Sequence, residues 1–87
     1  MINGRLHYLK LSQCYVDDVF SGRKTFEIRL NDRDYQVGDF IVFTPVPYRN
    51  KRHPIEDETY VITYILSCFG LQPGYVAMSI KKCMDEN

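Results

Sequence analysis

Gly22-Arg23-Lys24-Thr25-Phe26-Glu27-Ile28-Arg29-Leu30 is the stretch that decides how this 87-residue chain reads. Gly22 suits the left-handed residue that stops a helix, and from Thr25 onward polar and apolar side chains alternate. Phe26, Ile28 and Leu30 fall on one side of an extended segment, with Thr25, Glu27 and Arg29 on the other. That period of two marks a strand with one buried face. It predicts Phe26, Ile28 and Leu30 in the core, with an acid and a base at the surface. Asn31-Asp32-Arg33-Asp34 follows as a polar turn, and Gly38-Asp39 as a tight turn into the next strand.

Toward the N-terminus, Leu6 to Leu11 reads as a strand with His7, Leu9 and Leu11 on one face and Tyr8 and Lys10 on the other. Ser12 fits a helix N-cap, its hydroxyl accepting from a first-turn amide. Tyr15, Val16, Val19 and Phe20 recur at helical spacing, so a helix is expected over Ser12 to Ser21.

Toward the C-terminus, Phe40-Ile41-Val42-Phe43-Thr44 is a short apolar run that reads as a buried strand. Pro45 and Pro47 are expected to end it, because proline donates nothing to a ladder. Val46 to Asp57 has no periodicity and reads as a mobile surface loop; it carries Tyr48, Arg49, Lys51, Arg52 and His53. Glu58 to Phe69 is the longest strand candidate, and Gly70-Leu71-Gln72-Pro73-Gly74 a turn. Tyr75 to Lys81 alternates Val76, Met78 and Ile80 against Tyr75, Ala77 and Ser79, and Lys82 to Asn87 reads as a frayed tail.

The order is strand, helix, then four strands. One helix cannot cover both faces of such a sheet, so the expectation is an α+β domain whose five strands curl into a partly closed β-barrel, with the helix after the first strand. The predicted core is Phe26, Ile28, Leu30, Ile41, Phe43, Ile62, Val76, Met78 and Ile80. Residues 1–87 form a single domain with its core at about 6–81.

Composition agrees with one compact core: 45% of residues are hydrophobic and 25% charged. Formal net charge is zero, which argues against coating nucleic acid by bulk electrostatics and leaves a local basic patch open. Cys14, Cys68 and Cys83 form no metal-binding spacing. Their odd number, without a targeting pattern, points to reduced, buried thiols in a cytoplasmic protein. No apolar run approaches the ~20 residues of a membrane span, and two histidines 46 positions apart offer little to a metal. Neither a cofactor nor a metal is expected, and no membrane partner. Phosphate-loop, nucleophile-elbow, zinc-protease and calcium-loop motifs are missing.

The remaining candidates for function are His7, Lys10, Lys24, Glu27, Arg29, Asn31, Asp32 and Arg33. Each has a plainer reading. Lys24 with Glu27 can be an exposed ion pair worth ~0–1 kcal/mol, Asp32 can organise its own turn, and His7 can be a satisfied core residue. Tyr35, Tyr48 and Tyr75 can stack on bases, although packing explains each of them as well.

His7-Tyr8-Leu9-Lys10, Gly22 to Arg29, Asn31 to Asp39 and Gly70 to Val76 together resemble a small bacterial and phage family. That family sits in the ASCH-like branch of the PUA-like superfamily. The likeness runs from about His7 to Ile80. Its G-x-K-x-x-E-x-R pattern falls on Gly22, Lys24, Glu27 and Arg29, and its N-D-R turn on Asn31, Asp32 and Arg33. What the resemblance implies is a PUA-like barrel that binds single-stranded RNA or a nucleotide in a polar cleft between barrel and helix. Thr44-Pro45-Val46-Pro47 departs from the family, whose members often carry an acidic or Trp-containing stretch there.

A related group of the superfamily hydrolyses acetylated cytidine with a lysine, a threonine and a glutamate. Lys24 matches the lysine, but Glu27 stands at the threonine position and no later glutamate aligns. A binding module is therefore expected ahead of an amidohydrolase, with a partner-protein-binding domain of phage origin as a third reading.

Overall fold

The computed structural model describes residues 4–84. Strand β1 (Leu6–Ser12) leads directly into helix α1 (Gln13–Phe20), and four strands follow: β2 (Phe26–Leu30), β3 (Phe40–Val46), β4 (Tyr60–Leu66) and β5 (Tyr75–Lys82). They form one mixed sheet in the order β1-β3-β4-β5-β2. Only β1 and β3 run parallel; the other neighbours are antiparallel. The domain is thus α+β, with its helix after the first strand, as expected. The sheet is not closed into a barrel, however, because β1 and β2 remain its two edges.

Helix α1 lies where apolar spacing and Gly22 predict it. Val16 and Val19 are buried, and Gly22 (φ 86°) turns the chain out of the helix with its amide donating to Val19 O at 3.1 Å. Ser12 occupies the N-cap position but does not cap with its hydroxyl, which lies 3.3 Å from Cys14 Sγ. The core gathers Leu9, Leu11, Val16, Val19, Ile41, Phe43, Ile62, Val76, Met78 and Ile80, with Tyr35, Ile55 and Tyr60. Six of the nine residues predicted from alternation are among them.

The other three are reversed. Phe26, Ile28 and Leu30 are 47%, 53% and 49% exposed, whereas Glu27 is only 4% exposed. The cause is register. Glu27 lies opposite Met78 and Arg29 opposite Val76, and directly opposed residues share a face of the sheet. Because Met78 and Val76 point into the core, the polar side of β2 does too. The exposed setting of Ile28 predicts that Ile28→Thr changes the unfolding free energy by no more than about 0.5 kcal/mol in urea titration, as for other surface sites. A loss of 2 kcal/mol or more, typical of core truncations, would place Ile28 in the core after all.

Five further expectations are corrected. Pro45 does not end β3, which continues to Val46. The Phe40 amide donates to Arg5 O on the β1 side, so by alternation position 45 faces away from β1. On that far side β4 pairs only with Phe40 and Ile41, and no ladder bond is lost. The Val46–Asp57 segment is more than a loop: Pro54–Asp57 forms a 3-10 turn that buries Ile55. His53 caps this turn, Nδ1 accepting from Ile55 N, while Glu56 accepts from His53 N. Strand β4 is shorter than Glu58–Phe69 and breaks register between Ile62 and Tyr64, the irregularity that lets a strand bend. None of the cysteines is buried: Cys14 and Cys68 are exposed and Cys83 is half-buried, the last with its thiol pKa raised by burial. Strand β5 takes in Lys82, the first residue of the expected tail, while residues 85–87 lie outside the described part.

Tyr60 packs its ring against Phe43, and its hydroxyl has no hydrogen-bond partner among the described residues. Burial pushes its pKa up to about 12. An orphaned buried hydroxyl costs ~1–3 kcal/mol of desolvation. Tyr60→Phe is therefore expected to raise stability by about 1 kcal/mol, seen as a Tm higher by roughly 4–8 °C. A lower Tm would show that the hydroxyl is satisfied.

Candidate functional site

The two sheet edges come close enough for side chains to join them. Arg29, on β2, donates through Nη2 to Lys10 O on β1. Arg33, just beyond β2, donates through Nη1 to Tyr8 O at 3.1 Å. Two guanidinium groups thus satisfy β1 carbonyls that a neighbouring strand would otherwise take, and they cover an edge that would otherwise pair with another chain. Over this seam lies a cleft of about 510 Å³ whose lining includes Lys10, Tyr15, Lys24, Glu27, Arg29 and Tyr75.

Glu27 is the centre of the seam. Its Oε1 accepts from Lys24 Nζ at 2.8 Å, and its Oε2 from Arg29 Nε at 2.9 Å. Lys24 also donates to Phe26 O at 2.7 Å. Its ammonium sits 5.2 Å from the Tyr15 ring centroid and 4.7 Å from that of Phe26, within reach of a cation–π attraction. The Lys24 amide donates to Asp18 O at 2.9 Å, which ties the lysine to the end of α1. A buried carboxylate is tolerable only when paired and hydrogen-bonded, and here both oxygens are. The surface ion pair expected from the sequence is therefore a largely buried trio, with Lys24 and Arg29 side chains 17% and 23% exposed.

The other candidates are placed around or away from this centre. Lys10 is exposed at the cleft, with its side chain free of hydrogen bonds and ion pairs among the described residues. Asn31, rather than Asp32, organises the turn after β2: its Oδ1 accepts from Tyr35 N at 2.9 Å. The Asp32 amide donates to Leu30 O at 2.9 Å; Asp32 is exposed and does not line the cleft. His7 points into the core, its Nε2 2.8 Å from Asp39 Oδ2 and its ring edge-on to Tyr35. Burial raises the Tyr35 pKa, against the lowering effect of Arg29 and Arg33.

Asp39 is the polar residue that sequence reasoning missed. The sequence marks it as part of a turn, yet it is buried and accepts from three groups: Arg5 N at 3.1 Å, Gln36 N at 3.0 Å and His7 Nε2. Burial alone would raise its pKa; the hydrogen bonds from His7, Arg5 and Gln36 outweigh burial and hold it below the usual carboxylate value. The available signal was a histidine on the inward face of β1, which needs a polar partner inside. Nearby, a Cβ on Gly4 would meet Gly38 O at 2.0 Å, so glycine is required where these two segments cross.

Thr25 lines a different hollow, with Phe20, Tyr60 and Lys82, and Lys24 is the residue common to both. Among the described residues, no group of three His, Cys, Asp or Glu side chains could hold a metal ion, and no helix is long and apolar enough to cross a membrane.

No curated protein matches the chain. Residues 6–80, from the first residue of β1 to near the end of β5, match the family described as Domain of unknown function (DUF3850). The match spans every strand, the helix and both sides of the seam, and the chain therefore belongs to that family.

Proposed function

We propose that the seam cleft binds a nucleotide or single-stranded RNA, and that the domain is a PUA-like, ASCH-type fold. The observation that carries this reading is the composition of the cleft. Three cations, Lys10, Lys24 and Arg29, face one carboxylate, Glu27, and Tyr15, Phe26 and Tyr75 stand beside them. Cations suit phosphate, and aromatic faces suit unstacked bases. Glu27 has both oxygens engaged at 4% exposure, so it positions Lys24 and Arg29 and leaves base-edge contacts to other groups. Lys10 is the cation free to meet a phosphate. No observation favours a hydrolase over this reading, since Thr25 is turned toward another hollow.

Lys10 also supplies the cleanest test, because replacing it disturbs no internal bond. Lys10→Ala is expected to weaken binding of nucleotides and single-stranded RNA severalfold at low salt. It should flatten the slope of log K against log[salt] by about 0.7, the effect of one lost phosphate contact on a single strand, while the Tm stays put. Anisotropy titrations at two salt concentrations measure both quantities. Wild-type protein that binds nothing below ~1 mM at low salt, a free energy of only about 4 kcal/mol, would end the nucleic-acid reading.

A further inference from the structure

A second cleft, of about 480 Å³, lies under the chain between β3 and β4, and its lining includes Tyr48, Arg49, Lys51, Arg52 and Glu56. Arg52 is engaged, its guanidinium paired with Asp57 and, at 3.6 Å, with Glu56. Arg49 and Lys51 make no ion pair among the described residues, and Tyr48 between them and β3 is largely exposed. Two free cations beside an exposed ring are the elements of a site that holds a phosphodiester and stacks a base.

The first turn of α1 separates this cleft from the seam. Gln13 lines the second cleft, while Ser12 and Tyr15 line the seam. Gln13 Nε2 donates to Pro47 O at 3.0 Å, which fastens the loop to the helix at the point where the clefts adjoin. Charge is divided in the same way. The two clefts together hold six of the chain's eleven Lys and Arg but only two of its eleven Asp and Glu. A chain of zero formal net charge thus gathers its cations at two clefts on either side of the first turn of α1 and carries most of its acids elsewhere, a distribution that attracts a polyanion.

We infer that the two clefts form one track for single-stranded RNA several nucleotides long, with Arg49 and Lys51 holding backbone phosphates beyond those at the seam. This rests on the proposed role of the seam cleft and extends it: the ligand is an oligonucleotide, and a mononucleotide fills only part of the site. A strand of several nucleotides falls within the site sizes of small single-strand-binding domains, roughly 4–16 nucleotides.

The test compares a mononucleotide, a single-stranded octaribonucleotide, its deoxy counterpart and a duplex of equal length, using wild-type protein and the double variant Arg49→Ala, Lys51→Ala. The octaribonucleotide should bind wild type at least tenfold more tightly than the mononucleotide at low salt, and more tightly than the duplex. The double variant should lose most of that advantage, and its salt slope should fall by about 1.4, two single-strand phosphate contacts. An unchanged Tm confirms that the exposed loop tolerates both changes. Mononucleotide binding without an octanucleotide advantage, or an advantage that the double variant keeps, overturns the track and leaves the seam reading standing. Preference for duplex overturns the single-strand assignment. Failure of every nucleic acid to bind removes the seam reading and the track together, and equal affinity for the deoxy strand overturns the assignment to RNA.

Discussion

Glu27→Ala is expected to lower the unfolding free energy by about 3–5 kcal/mol, the usual consequence of removing one partner from a buried ion cluster. The loss is large because Lys24 and Arg29 would stay largely inside with no counter-charge: their side chains are 17% and 23% exposed, and each donates to Glu27 within 2.9 Å. For a domain of this size the Tm should fall by roughly 15–30 °C, a large share of total stability. Glu27→Gln keeps the volume but removes the charge, and should fall in between. In a double-mutant cycle, Lys24→Ala should cost less in the Glu27→Ala background than in wild type, with a coupling of about 0.5–3 kcal/mol. A drop of only 2 or 3 °C for Glu27→Ala would mean that water reaches the carboxylate and that β2 does not face inward. The same substitution should loosen the seam, since Glu27 orients the guanidinium that bonds Lys10 O.

Asp39→Ala should destabilise the fold by about 3 kcal/mol, because it leaves one buried and two part-buried donors without their acceptor. Those donors are Arg5 N, His7 Nε2 and Gln36 N, so the change would detach the start of β1 from the turn before β3. Asp39 also predicts a pH dependence with a definite sign. Its folded pKa lies below the ordinary 3.8. The charged carboxylate therefore contributes its full stability above pH 3.8, and the contribution is lost as pH falls through the folded value. Asp39→Asn cannot lose that increment. Urea unfolding should show wild type well above Asp39→Asn at pH 7 and the gap narrowing below pH 4. A gap that is constant or widens toward acid would mean that the folded pKa is not depressed.

Much of the architecture was legible from short-range pattern. Gly22 at a left-handed φ, the Tyr15-Val16-Val19-Phe20 spacing and the alternation of His7, Leu9 and Leu11 or of Val76, Met78 and Ile80 are properties of contiguous residues. Helix and strand periods act over a few residues, so these elements could be read directly. Lys24, Glu27 and Arg29 stand out in the sequence too, as an acid set between two bases in a short stretch, although their burial does not. The pattern around Pro45 misled, since whether a proline breaks a strand depends on whether its position faces a paired neighbour, and here it does not. Asn31 and Asp32 are adjacent and alike in turn preference; only the placement of the Tyr35 amide chose Asn31.

What the amino-acid sequence determined by itself was the order of the main elements: one helix after the first strand, four strands beyond it, and the polar groups at the second strand. Tertiary structure alone decided which face of β2 is inside. A strand's alternation is symmetric under a one-residue shift, and such a shift exchanges its two faces. The choice was made by pairing with β5, about fifty residues away in sequence, where Glu27 meets Met78. It was made also by the seam, where Lys24 and Arg29 neutralise that glutamate and Arg29 reaches across to β1. Neither the partner strand nor the open edge is visible to a local period, so the same nine residues that announce a strand cannot say which side of it faces water.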